Sequence, residues 1–247
     1  MLSRFSKLRI LRIFARDIEA QSFPEVGTIF GISSGTAIHA IQVDSSFQET
    51  ALHFRIRNHT NPFSEKIEKF TRLIKTLKEG EINTQKLSRI LEEFKKLIKM
   101  AENYELSQNG ASVIMCTCIE AGSSRIRKYG NIKQCIIDES NMCLEAASLV
   151  VLQGIIACCD RMVFVGDQKQ LAPIVKSRIA KRFGLGRSLF QSLLNAKEKK
   201  GFSVHVLDTQ YRIVSYNYYN CPVTRYFNKL SPVNNVQLHV ISIVAHL

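Results

Sequence analysis

The sequence predicts an α/β fold: a doubly wound parallel sheet, incomplete within these 247 residues, with an inserted helical hairpin. Three observations predict it. Short apolar runs end in acidic turns, at Ile137-Asp138-Glu139, Gly166-Asp167 and Leu207-Asp208. Helical stretches separate those runs, and that alternation builds parallel sheets. Between residues 62 and 107 the apolar spacing switches to that of one helix face.

Taken in chain order, residues 1–61 mix short apolar runs with Gly and Ser, as at 27–34, and give no clear pattern from the residues alone. Residues 62–107 place Phe63, Ile67, Phe70, Ile74 and Leu77 on one face. A second run follows at Leu87, Ile90, Leu91, Phe94, Leu97, Ile98 and Ala101, with Lys and Glu on the other faces. This is the pattern of two amphipathic helices packed antiparallel. Residues 108–230 form the α/β core. Its strands are expected at 112–116, 132–137, 162–165 and 204–207, and its helices at 145–159 and 188–199. Near-continuous apolar strands suit a sheet covered on both faces. Residues 231–247 form a tail with no assignment.

The bulk numbers narrow the function. A formal net charge of +13 favours a polyanionic partner, although the same excess also keeps a surface solvated. The basic residues are spread over 4–16, 55–57, 176–187 and 197–200, so no single stripe stands out. Seven cysteines, with Cys116-x-Cys118 and adjacent Cys158-Cys159, match neither a disulfide framework nor a zinc site. Reduced thiols fit a cytoplasmic protein, with the nucleus as the alternative. Residues 1–14 lack the apolar centre of a secretory signal, and 236–247 is too short to span a bilayer, so no membrane partner is expected.

Ligands of such sheets bind beyond the carboxyl ends of the strands. Cys135-Ile136-Ile137-Asp138-Glu139-Ser140 delivers two carboxylates there and resembles a Walker B motif. A solvated strand end is the plainer reading of that run. Val163-Phe164-Val165-Gly166-Asp167-Gln168-Lys169-Gln170-Leu171-Ala172-Pro173 resembles motif III of superfamily 1 helicases. Leu207-Asp208-Thr209-Gln210-Tyr211-Arg212 resembles the Gln-Tyr-Arg motif that follows in the same families. For a lone Arg212 a structural salt bridge is the alternative.

Order and spacing together resemble the nonsense-mediated-decay helicase-like group of superfamily 1. Arg55-Ile56-Arg57, Asn61-Pro62-Phe63-Ser64, Cys116-Thr117-Cys118 and Pro173-Ile174-Val175-Lys176 look like its helicase-with-zinc-finger branch. The resemblance implies a fragment of the first RecA-like domain, a P-loop NTPase fold, with residues 1–61 as an N-terminal remnant of a RecA-like/1B region and residues 62–107 as its stalk. It implies ATP and Mg2+ as cofactors and no other small-molecule substrate. Asp138 would hold the magnesium, a hard cation that prefers carboxylate oxygen. Glu139 would act as the base on the attacking water. Gln170 would sense the terminal phosphate. Asp167 would orient the metal shell or the loop, with Gln210 and Tyr211 on the nucleotide side. Arg212 would offer a fixed cationic fork to the γ-phosphate. Thr117 would touch the nucleic-acid backbone, a buried threonine at a strand end being the alternative. The implied partner is single-stranded RNA or DNA, with RNA preferred.

The chain also departs from the pattern. No Gly-x-x-x-x-Gly-Lys-Ser/Thr loop occurs and the dipeptide Gly-Lys never appears. That loop supplies the phosphate cradle. A second RecA-like domain is expected by the resemblance and is missing from the chain. Met142 stands where much of the group has Gln, Ala146 replaces a usual Pro, and Ile213-Val214-Ser215 follows Arg212. A truncated or mis-joined gene, or a decayed copy, would account for these departures. The leading expectation is a fragment of an ATP-dependent helicase. The alternatives are a non-catalytic nucleic-acid-binding or protein-interaction remnant and, more remotely, a metal-dependent nuclease on Asp138, Glu139 and Asp167.

Overall fold

The computed structural model describes residues 8–31, 44–78, 84–108, 111–196, 202–207 and 240–246. The chain divides into two units, Met1–Tyr129 and Gly130–Leu247.

In the first unit β1 (Ile10–Arg12) and β2 (Val113–Met115) pair in parallel, Leu11 opposite Ile114. Helices α1 (Arg16–Ser22) and α2 (Pro24–Phe30) follow β1. Pro24 opens α2, where a missing N–H is harmless because the first helical N–H groups have no internal acceptor. Gly31 ends it at φ 69, a left-handed conformation that suits a residue without Cβ. The short helices α3 (Ser45–Gln48) and α4 (Leu52–Arg55) lead to the two long helices, α5 (Ser64–Lys78) and α6 (Thr84–Asn103). Their apolar stripes meet: Ile67, Ile74, Phe94, Ile98 and Ala101 are buried, and the Phe70 and Phe94 rings stack at 5.5 Å. Each large side chain buried this way contributes roughly 1.5–3 kcal/mol.

A π-helical turn, Tyr104–Gln108, ends α6 and carries Glu105 into the interior. Asn61 is buried beside it. Its Nδ2 donates to Glu105 Oε1 at 3.0 Å, and its Oδ1 accepts from the Phe63 N–H at 3.0 Å. Arg55 Nε donates to Glu105 Oε2 at 2.9 Å. Arg57 lies 3.6 Å over the Phe23 ring and pairs with Glu25 at 3.2 Å. The Arg-Ile-Arg and Asn-Pro-Phe-Ser segments therefore act as structural staples of this unit.

A second ion network joins α1, α6, α7 (Cys118–Ala121) and α8 (Ser124–Tyr129). Arg125 pairs with Glu19 at 2.7 Å and Glu120 at 2.7 Å, and Arg16 pairs with Glu102 at 2.7 Å. Burial pushes the Glu19 carboxyl up, and Arg125 and Arg16 pull it back. Burial alone would lower Arg125, but Glu19, Glu102 and Glu120 together hold it above the usual arginine value. Removing one partner from such a set costs about 3–5 kcal/mol, because a buried charge is left uncompensated.

In the second unit β3 (Gln134–Ile137) runs through α9 (Glu145–Ile155) to β4 (Arg161–Gly166), and β3 and β4 pair in parallel with Ile137 opposite Phe164. Val151 and Ile155 of α9 are buried, as are Ile137, Met162 and Phe164 of the strands. After α10 (Arg178–Arg182), α11 (Leu189–Asn195) starts at Ser188, whose Oγ accepts from the Gln191 N–H at 3.1 Å. Phe190 and Leu194 of α11 are buried. The sheet also contains β5 (Ser203–Leu207) and β6 (Val240–His246) in the order β3-β4-β6-β5.

The architecture is mixed α/β with small parallel pairings, and it corrects the expected sheet in three respects. The strand at 112–116 pairs with β1, not with the later strands. The 204–207 strand does not adjoin β4. Between them lies β6, antiparallel to both, from the tail left without assignment. The reason is backbone pairing: β4 and β5 would each present an open edge, and a β-branched segment supplies N–H and C=O groups to both. The sheet is thus mixed.

Candidate nucleotide-binding turns

Parallel pairing of β3 and β4 brings their carboxyl ends to one edge of the sheet. Residues 138–141 leave β3 there and residues 167–171 leave β4. The two turns are stitched together. The Ser140 N–H and Oγ both donate to the Val165 carbonyl, at 2.8 Å and 2.7 Å. Asn141 Oδ1 accepts from the Asp167 N–H at 3.2 Å, and Asn141 Nδ2 donates to the Leu171 carbonyl at 3.0 Å. Gly166 makes the approach feasible: a Cβ on it would stand 2.6 Å from Asn141 Oδ1.

Asp138 and Glu139 are exposed at this edge. Asp138 Oδ1 accepts from the Glu139 N–H at 2.9 Å. Glu139 has φ 49, a left-handed conformation that costs a non-glycine residue roughly 1–2 kcal/mol and recurs at functional turns. Asp138 presents carboxylate oxygens of the kind a magnesium ion prefers, while among the described residues no group of three or more His, Cys, Asp or Glu side chains is placed to hold a metal ion.

Asp167 is buried, and its carboxylate organises its own loop. Oδ1 accepts from the Lys169 N–H at 2.9 Å and Oδ2 from Gln170 Nε2 at 3.0 Å. Of its two expected roles, this geometry supports the loop over the metal shell. Gln170 is exposed but tethered through that bond. Gln210, Tyr211 and Arg212 lie outside the described residues. Thr117, in the first unit, is exposed, which sets aside the buried alternative. Its Oγ1 caps α7 by accepting from the Glu120 N–H at 3.3 Å. Beside it, desolvation and then nearby Glu120 push the Cys116 thiol up to about 11.

Ser140 and Asn141 were not singled out by sequence reading. A polar pair just past Asp-Glu is too common to mark a staple. Asn is, however, one of the few side chains that offers both an acceptor and a donor to a facing loop.

The family described as AAA domain matches residues 4–178. The chain belongs to the AAA domain family. The 3'-5' exoribonuclease HELZ2 of Mus musculus is 32% identical over 213 residues, 86% of this chain and 7% of the relative. The Regulator of nonsense transcripts 1 homolog of Neurospora crassa is 35% identical over 178 residues, 72% of this chain and 15% of the relative. The ATP-dependent helicase NAM7 of Saccharomyces cerevisiae is 34% identical over 124 residues, 50% of this chain and 12% of the relative. The chain spans at most 15% of the length of these three relatives. Among the described residues no helix of the AAA-domain chain is long and apolar enough to cross a membrane.

Proposed function

We propose that the chain contributes the magnesium and phosphate-sensing edge of an ATP-dependent helicase motor that moves on single-stranded RNA. One observation carries this reading: the Asp138-Glu139 turn and the Asp167–Gln170 loop are bonded to each other at one sheet edge. In this reading Asp138 holds the magnesium, which supplies charge neutralisation at the phosphates when bound. Glu139 orients a water and takes its proton. Gln170, poised by Asp167, hydrogen-bonds the terminal phosphate and registers its loss. Arg212 and the Gln210-Tyr211 pair complete the nucleotide side, and Thr117 contacts the strand backbone. A doubly wound RecA-like sheet, a stalk at 62–107 and a second RecA-like domain belong to the whole motor. The cytoplasm, or the nucleus, is its place.

The missing Gly-Lys phosphate loop and the +13 charge favour a second reading, a strand-binding remnant without turnover. A nuclease on Asp138, Glu139 and Asp167 is disfavoured, because Asp167 keeps both oxygens on its own loop.

The test is ATP hydrolysis with and without single-stranded RNA. RNA-stimulated turnover that Glu139→Gln lowers by at least about 100-fold supports the motor. Salt-sensitive RNA binding with no turnover supports the remnant, and RNA cleavage without ATP supports the nuclease.

A further inference from the structure

The first unit holds a cleft of about 330 Å³ between α1, α2, α6 and α8. Its wall carries five cations, Arg16, Lys95, Lys99, Arg125 and Lys128. The two arginines are held by Glu19, Glu102 and Glu120. Three carboxylates against five cations leave two positive charges over. The surplus sits on the lysines, which make no ion pair among the described residues. Lys95 and Lys99 are one turn apart on α6, and Lys128 approaches from α8.

A second observation is independent of charge. Ser123 lines the same cleft, and its Oγ is buried without a hydrogen-bond partner among the described residues. A buried hydroxyl left unpaired costs about 1–3 kcal/mol, so an acceptor that enters the cleft recovers that loss. A donor hydroxyl beside surplus ammonium groups selects an oxyanion of phosphate size.

The rim decides between a free phosphate and a strand. Lys99, Asn103, Ser124 and Lys128 are exposed, so the cleft opens to solvent along one side and a chain can enter and leave. Phe30, the aromatic ring of the wall, already carries Arg16 at 4.1 Å and Lys95 at 5.2 Å, so it is occupied by cations and offers no platform for a base. The cleft is therefore built to read backbone and not base.

We propose that this cleft is a phosphate subsite for the phosphodiester backbone of a single-stranded nucleic acid. It rests on the strand-binding part of the reading above and is independent of the nucleotide turns. The lysines supply charge, and Ser123 donates one hydrogen bond to a phosphate oxygen.

The experiment is fluorescence anisotropy of the full chain with a labelled single-stranded RNA, without ATP, over a series of salt concentrations. A triple variant, Lys95→Gln, Lys99→Gln and Lys128→Gln, is compared with a control of equal charge on α5, Lys66→Gln, Lys69→Gln and Lys75→Gln. The cleft triple should weaken binding about tenfold or more and lower the slope of log K against log salt by at least about 0.7, one phosphate's worth on a single strand. The control triple should do markedly less. Ser123→Ala should weaken binding about tenfold without lowering the melting temperature, because removing a buried unpaired hydroxyl takes away a cost in the unbound chain. Equal losses from both triples, an unchanged slope, or no RNA binding by the wild-type chain overturns the proposal. So does a cleft that binds inorganic phosphate through these residues while RNA affinity is indifferent to them. If Glu139→Gln leaves turnover unaffected while the cleft triple loses RNA, the motor reading fails and this one stands.

Discussion

Gly166 shows what one missing methyl group permits. Asn141 cannot swing away from an added Cβ, because both ends of its amide are bonded across the turns. Gly166→Ala should cost about 1–3 kcal/mol, read as a fall in denaturation midpoint. Most of that cost should vanish in an Asn141→Ala background, since residues in contact are not additive. Equal costs in both backgrounds would place the clash elsewhere. His53 is the other informative residue. It is buried among Phe14, Phe23 and Phe54, and neither ring nitrogen has a partner among the described residues. Burial first, then Arg57, Arg125 and Arg16, hold it down at about 4 against an ordinary 6.5. Between those values the unfolded chain takes up a proton that the folded chain refuses. Stability is therefore full above pH 6.5 and falls as pH drops toward 4, by about 2 kcal/mol at pH 5. His53→Leu should flatten that stretch of a melting-temperature profile. Parallel curves for the two proteins would remove His53 as the cause.

Among the elements, periodicity served the helices well and the sheet only in part. The stripes of α5 and α6 were readable because a helix buries what is close in sequence. Strand positions at β3, β4 and β5 were readable from apolar runs ending at acidic residues. Strand neighbours were not, because pairing joins backbone groups of distant residues and leaves no local mark. β6 shows the limit: its β-branched residues invite a strand, but nothing in them says that it enters reversed. Ile243 faces Phe164 on one side and Val204 on the other. Ile243→Pro removes a donor from the middle of that ladder. It should abolish hydrogen-exchange protection in β4 and β5 while sparing the α5 and α6 core. Undiminished protection in β4 would show that β6 does not hold it.

Across the whole molecule, the candidate turns were legible as residue types at set spacings, since carboxylates, a glycine and a glutamine carry their chemistry wherever the chain runs. What joins them was not. Ser140 and Asn141 act only because β3 and β4 lie side by side, and the buried carboxylates Glu19, Glu102 and Glu105 look like surface charge until the fold encloses them. The excess positive charge reads in the same way. Its sum is visible in composition, but which basic side chains stay unpaired depends on which acids the arginines consume.

The reversed strand also has a consequence in time. β4 and β5 precede residues 240–246 in the chain, so each edge stays open until that later segment arrives. Their completion waits for a segment that must travel back across the unit, a non-local closure of the slow kind. Until then both edges present unpaired N–H and C=O groups to any other extended segment.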